Sequence, residues 1–369
     1  MGLRALALAV VLALAGAVLP ATPAAAAPVS TSLPVVTGVP TYDEVLAADV
    51  GGWTPAPASY SFQWLRDGAP IGGATERRYR IALDDLGARL AVTVTATDGS
   101  GAGSATSDET APVRRAVLRN RQRPAVTGTL RYGRTVRADP GRWSTRPTRV
   151  RYQWLRDGRP IQGETGRRHE ISPRDVGRSL RVRVAVRAPG HGWASRTSRP
   201  RGRVDHRVGV RRTVTYDVQT RGRVTASLKT FRRLVQQTYD DPRGWRGAGV
   251  RFRQVKGGGT FTVVLAEASR VPGFSPVCSA EWSCRVGRYV VINQTRWQHA
   301  SPAWNAADGS LRDYRHMVVN HETGHWLGFG HAGCSGRGRP APVMQQQSKG
   351  LGGCRFNPFP TAAELGRVR

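Results

Sequence analysis

A chain of 369 residues with a formal net charge of +31 is long enough for two or three domains. The charge is carried almost wholly by arginine, because Lys229, Lys256 and Lys349 are the only lysines. All four cysteines lie beyond residue 270, which excludes a disulfide framework for the N-terminal part, and beyond the first residues no run is apolar enough to span a membrane.

The opening "MGLRALALAVVLALAGAVLPATPAAAAP" joins a basic start at Arg4 to an apolar run and then small residues. It reads as a secretory signal peptide, residues 1–27, cleaved near Ala26. The mature protein is therefore expected to be secreted, with no transmembrane segment after signal removal.

A duplication follows. "YSFQWLRDGAPIGGAT" from Tyr60 returns as "VRYQWLRDGRPIQGET" from Val150, and the match extends outward at a constant offset of 90 positions. Trp53 pairs with Trp143, Trp64 with Trp154, and Gly87 with Gly177. In "LAVTVTAT" from Leu90 and "LRVRVAVRA" from Leu180, apolar residues recur at every second position, the pattern of a half-buried strand. Each "RDG" marks a turn. Residues 35–113 and 124–204 are thus expected to be small antiparallel sandwiches centred on Trp64 and Trp154. They resemble the immunoglobulin-like repeats of secreted actinobacterial proteins, a resemblance that implies a spacer or adhesive module.

The copies differ in charge. Residues 35–113 hold five arginines against ten acids; residues 124–204 hold twenty against five, and the linker 114–123 adds five more arginines. In the second copy Arg181 and Arg183 alternate with Val182 and Val184, Arg187 stands where copy one has Thr97, and Arg149 and Arg151 alternate with Val150 and Tyr152. If the valines face the core, the arginines form an outer row suited to phosphate or carboxylate. An anionic wall polymer is the expected partner of that face, which would make the secreted protein wall-associated. Codon bias on a solvated face is the plainer account. Export argues against a nucleic-acid partner.

From about residue 205 the pattern turns to mixed α/β. "TVTYDVQT" (213–220), "VRFRQV" (250–255), "FTVVLAEA" (261–268) and "YVVINQT" (289–295) read as strands. Leu228, Phe231, Leu234 and Val235 recur at helical spacing between the first two. A longer helix is expected from Leu311, and a last one at "TAAELGRV", where Thr361 and Glu364 make a capping box. "KGGGT" at 256–260 lacks the spacing of a phosphate loop and reads as a turn.

On the long helix lies "HETGHWLGFGH", residues 321–331. His321 and His325, four apart, project from one face. Glu322 is turned about 100° from His321 around the axis. Gly328 can take the left-handed conformation that ends a helix, which returns the chain so that His331 becomes a third ligand. Three imidazoles suit Zn2+ and leave a coordination position open, as in catalytic sites.

The motif resembles the metzincin clan of zinc metalloproteases. With "PAPVMQQQSKGLGGC" downstream, residues 205–369 look like a branch of that clan in secreted actinobacterial proteins. The resemblance implies His321, His325 and His331 as metal ligands, Glu322 as general base and acid, and Met344 as the floor of the site. It departs from the clan's pattern at Ala332, which has no polar side chain, and at Gln346, where some branches carry tyrosine.

Four cysteines in an exported chain argue for two disulfides with three possible pairings. Cys278–Cys284, a small loop, with Cys334–Cys354, a clamp behind the third histidine, is the favoured one. The expected whole is a multidomain chain: two all-β immunoglobulin-like sandwiches, then an α/β metzincin-like domain acting as a zinc endopeptidase. The alternative is a wall- or surface-binding protein whose metzincin-like domain is structural or inactive.

Overall fold

A computed structural model describes residues 26–368, so the signal-peptide reading falls almost wholly outside the described residues. The chain divides into two compact units. One runs to Arg119 and takes in Thr145–Arg149 and Val186–Ala194; the other holds Asn120–Ser144, Val150–Ala185 and everything from Ser195 onward. The division thus cuts through the second repeat and does not fall at its ends. No helix among the described residues is long and apolar enough to cross a membrane.

Each repeat has two larger antiparallel sheets and a two-stranded ribbon, Val29–Ser32 with Gly52–Thr54 in the first and Asn120–Gln122 with Arg142–Trp143 in the second, so that a strand precedes the expected start of each at 35 and 124. In the first, Val35–Thr37, Val45–Asp49 and Arg78–Arg80 form one sheet; Ala69–Pro70, Ser59–Arg66, Leu90–Asp98 and Gly101–Thr106, in that order, form the other. The strands of the second copy follow the same two orders. Period-two alternation becomes burial: Leu90, Val92, Val94 and Ala96 are wholly enclosed, as are Leu180, Val182, Val184 and Val186. Trp64 and Trp154 are fully buried, and each indole N–H donates to a carbonyl at 2.9 Å, of Glu76 and Gly166 respectively. The two "RDG" words are tight hairpins in which Asp and Gly both have positive φ, +46° and +80° at Asp67–Gly68.

Two features of the second copy depart from the simple pattern. Val150 is not turned to the core; it is 37% exposed, and its counterpart Tyr60 is 39% exposed. Val150 stands second in an eight-residue strand whose first three residues are all exposed, while the strands of the other sheet run only three to five residues. Under Trp154 lies His169 where copy one has Tyr79. Tyr79 donates one hydrogen bond to Asp85. His169 stands between Asp175, 3.1 Å from Nε2, and Glu164, 2.9 Å from Nδ1. Burial alone would lower its pKa, but hydrogen bonds to the two carboxylates outweigh this and raise it.

The C-terminal domain is built on one five-stranded sheet. Its strands are β1 (Arg212–Arg221), β2 (Val250–Gln254), β3 (Phe261–Ala266), β4 (Cys284–Val286) and β5 (Tyr289–Asn293), in the order β2-β1-β3-β5-β4. Four run parallel, and the edge strand β4 is antiparallel to β5. β3 is buried at every residue, which explains its unbroken apolar run: a parallel strand covered on both faces has no polar side to show. One face receives α1 (Leu228–Asp240) and the later helix α4 (Leu311–Trp326). The other is covered by the loop around Val271 and Cys278, packed on Val264, Ala266 and Val291. Two short helices unanticipated from sequence, α2 (Gln294–His299) and α3 (Pro302–Ala306), lead from β5 to α4. Helix α5 (Ala362–Gly366) begins with the expected Thr361–Glu364 capping box.

Both favoured disulfides are formed, Cys278–Cys284 and Cys334–Cys354. In the chain-entropy model the second, closing a loop of 20 residues, contributes about 3 kcal/mol.

Candidate metal centre

Helix α4 starts at Ser310, whose hydroxyl accepts from the Asp313 N–H. It ends in a Schellman motif. Gly328 has φ +94°, its N–H donates to the His325 carbonyl at 3.1 Å, and the Phe329 N–H reaches back to the Gly324 carbonyl at 3.0 Å. The chain reverses there and brings His331 against the helix. The Nε2 atoms of His321 and His325 lie 3.1 Å apart, and those of His325 and His331 lie 3.2 Å apart. Among the described residues, these three form the cluster of metal-ligating groups.

The protonation of the rings follows from their other partners. His321 Nδ1 lies 2.8 Å from the Val343 carbonyl and His325 Nδ1 2.8 Å from that of Phe329. A carbonyl only accepts, so each Nδ1 carries the proton and each Nε2 is left with its lone pair. Burial pushes His321 down to about 3, against the hydrogen bond to Val343. It lowers His325 too, and lowers His331 with help from the Lys349 charge. Neutral rings with lone pairs facing one another at 3.1 Å repel unless a cation stands between them. Ligand nitrogens around tetrahedral zinc sit about 3.3 Å apart, given bonds of roughly 2.05 Å. The donor set fits zinc in spacing, tautomer and charge.

Glu322 is buried, at 6% exposure, and borders a cavity of about 500 Å³ that the three histidines also line. Burial pushes its carboxyl up to about 8, with the Arg285 guanidinium working in the opposite direction. It is not part of the metal-ligating cluster.

Met344 lies under the helix, fully buried. Its Sδ occupies the place a Cβ at Gly324 would take, and that Cβ would also stand 2.9 Å from Trp245 Cζ2. Gly324 is thus a glycine in mid-helix because the methionine turn approaches there. The turn is held from the far end of the chain: Glu364 Oε2 accepts from the Val343 N–H at 3.1 Å and Oε1 from the Met344 N–H at 2.9 Å. Gln346, at the departure from the clan's pattern, is exposed and lines the cavity, whereas Ala332 is half-buried and donates its N–H to the Met344 carbonyl.

Three contributors escaped the sequence reading. Gly324 carried no signal of its own, and Glu364 gave only its capping signal. Arg285 sits on an edge strand too short to show alternation, and its Nη2 donates to the His325 carbonyl at 2.7 Å.

The arginines expected to form an outer face are placed unevenly. Arg183 is exposed between buried Val182 and Val184, Arg181 is half-buried and Arg151 is exposed. Arg149 and Arg187 belong to the other unit.

Residues 192–360 match a family described as a protein of unknown function (DUF3152). No curated protein matches the chain. Among solved structures it is similar to three N-terminal domains of the Highly Immunogenic Outer Capsid protein (Hoc) of bacteriophage RB49. That likeness has 15% identity and TM-score 0.24, and covers 51% of this chain and 65% of that one. It is similar also to the N-terminal four Ig domains of Dscam1, with 17% identity, TM-score 0.21 and coverage of 47% and 44%. A third is the amphioxus IgVJ-C2 molecule, with 14% identity, TM-score 0.23 and coverage of 48% and 98%. The chain therefore spans less than two thirds of the first of these. TM-scores so low carry neither fold nor function, and the assignment of two sandwiches stands on their own strand order.

Proposed function

We propose that the C-terminal domain is a metzincin-type zinc endopeptidase, secreted and carried behind the two immunoglobulin-like repeats. The observation that carries this reading is the convergence of three Nε2 lone pairs, two of them fixed by Nδ1–H bonds to carbonyls, beside a buried carboxylate at an open cavity. His321, His325 and His331 would hold the ion. Zinc bound there supplies Lewis acidity, polarising a peptide carbonyl and acidifying water. Glu322 takes a proton from the attacking water and hands it to the amine nitrogen as the C–N bond breaks. With a pKa raised by burial and opposed by Arg285, both of its protonation states lie within reach near neutral pH, as a group that accepts and then donates requires. Hydrogen bonds from His321 to Val343 and from His325 to Phe329 keep both rings aimed. The signal-like N-terminus and two disulfides support export.

The test is metal content and casein hydrolysis by the purified mature protein, with and without a chelator. One zinc per chain is expected, with hydrolysis lost on chelation and restored by zinc. Protein that carries no zinc overturns the reading. Zinc-loaded protein that cuts nothing favours the alternative, a surface-binding protein with an inactive domain.

We propose also that repeat two and the 114–123 linker bind an anionic wall polymer, Arg151, Arg181 and Arg183 being the contacts the charge imbalance favours. Retention on purified cell wall should fall as salt rises, because such contacts are screened, and should fall with Arg183→Gln. Retention indifferent to salt overturns it.

A further inference from the structure

Resting on the peptidase reading, a second question is which peptides the cavity would take. Among the described residues that line it, Glu322 is the one acid, and Arg285 and Lys349 are the cations. They come from separate elements, Arg285 from β4 and Lys349 from the segment after the methionine turn. Both line the cavity together with the three histidines.

Arg285 is the better defined. Its Nη2 is fixed on the His325 carbonyl, so the guanidinium cannot swing away into solvent. Its Nε is buried and has no hydrogen-bond partner. No ion pair joins it to Glu322 among the described residues, although Glu322 feels its charge. A buried donor without an acceptor is rare in folded proteins and asks for one. The Nε itself is enclosed, but the side chain as a whole is half-buried and lines the cavity, where a ligand can meet its other N–H groups. A carboxylate matches them best, since a guanidinium forms charge-assisted hydrogen bonds to carboxylate oxygens and keeps its charge at any working pH. Lys349, exposed, adds a second positive charge and repels basic side chains.

We propose that the cavity selects peptides with an aspartate or glutamate within a residue or two of the scissile bond, Arg285 binding its carboxylate and Lys349 reinforcing it. The experiment uses the zinc-loaded mature chain on a mixed peptide library, with cleavage sites read by mass spectrometry. A matched pair of peptides differing only as Glu or Gln at the favoured position follows. Acidic residues should be enriched at the cut sites, and the Glu peptide should exceed the Gln peptide in kcat/KM by roughly tenfold or more, the scale of one charged hydrogen bond. Arg285→Gln should bring that ratio toward one. Lys349→Gln, a change at an exposed residue that should fold normally, should lower it several-fold. Equal kcat/KM for the two peptides in an active wild type, or a ratio that survives both substitutions, overturns the selectivity. A zinc-loaded chain that cuts no peptide at all overturns the peptidase reading beneath it.

Discussion

Replacing Glu322 by glutamine should leave one zinc per chain and lower peptide hydrolysis by on the order of 10³-fold, the usual range for a lost general acid–base. The two halves of that result come from separate features. Zinc would be retained because, on the proposed reading, the three histidine nitrogens hold it, and Glu322 is not part of that cluster. Hydrolysis is lost because an amide neither takes a proton from water nor delivers one to a leaving amine. Glutamine has nearly the same shape and no charge, so it also removes the cost of burying a carboxylate at 6% exposure. The zinc-free variant should therefore melt no lower than the zinc-free wild type, which separates loss of chemistry from loss of fold. Zinc content by atomic absorption, hydrolysis rate and melting temperature decide it. Undiminished hydrolysis would remove Glu322 from the mechanism, and lost zinc would make it a ligand.

Glu364→Ala, far along the chain from the histidines, should be nearly as damaging. Its carboxylate accepts from the N–H groups of Val343, Met344 and Thr361 and from the Thr361 hydroxyl. Alanine leaves the buried N–H groups of Val343 and Met344 without acceptors, at about 1–3 kcal/mol each, and removes the Glu364 half of the capping box as well. A total loss of about 3–5 kcal/mol is expected in denaturant unfolding of this domain. The effect would reach the proposed metal site through one peptide unit, because the Val343 carbonyl holds His321 Nδ1–H at 2.8 Å. Zinc affinity, measured by competition with a chelator, should fall roughly 10–100-fold, as when such outer partners are removed. Glu364→Gln keeps part of the acceptor set and should fall between. Wild-type zinc affinity in the alanine variant would show that the turn holds itself.

The histidine cluster was legible because it is local: His321, His325 and His331, with Glu322 and Gly328 among them, fall within one helix end, where spacing alone fixes direction. The repeats were legible for a related reason, since duplication and period two report themselves without any knowledge of partners. What stayed hidden depends on pairs far apart in sequence. Nothing near Glu364 announces Val343, and nothing near Gly324 announces the sulfur of Met344. Arg285 lies on a three-residue strand whose place at the sheet edge follows from pairing with β5 and not from its own pattern. Val150 misled because alternation predicts facing only where a strand is covered, and the first three residues of its strand are exposed.

The two disulfides lie at different borders of the cavity. Cys278 and Cys284 line it themselves, just before Arg285. Cys334 and Cys354 close the segment that contains Met344 and Gln346 to Lys349. Inside a reducing cytosol those thiols stay free, so a newly made chain would have both borders untied at once. On the proposed reading, a hydrolase so built matures only after it has left the compartment whose proteins it could damage. The crosslinks would then act as a timing device as well as struts.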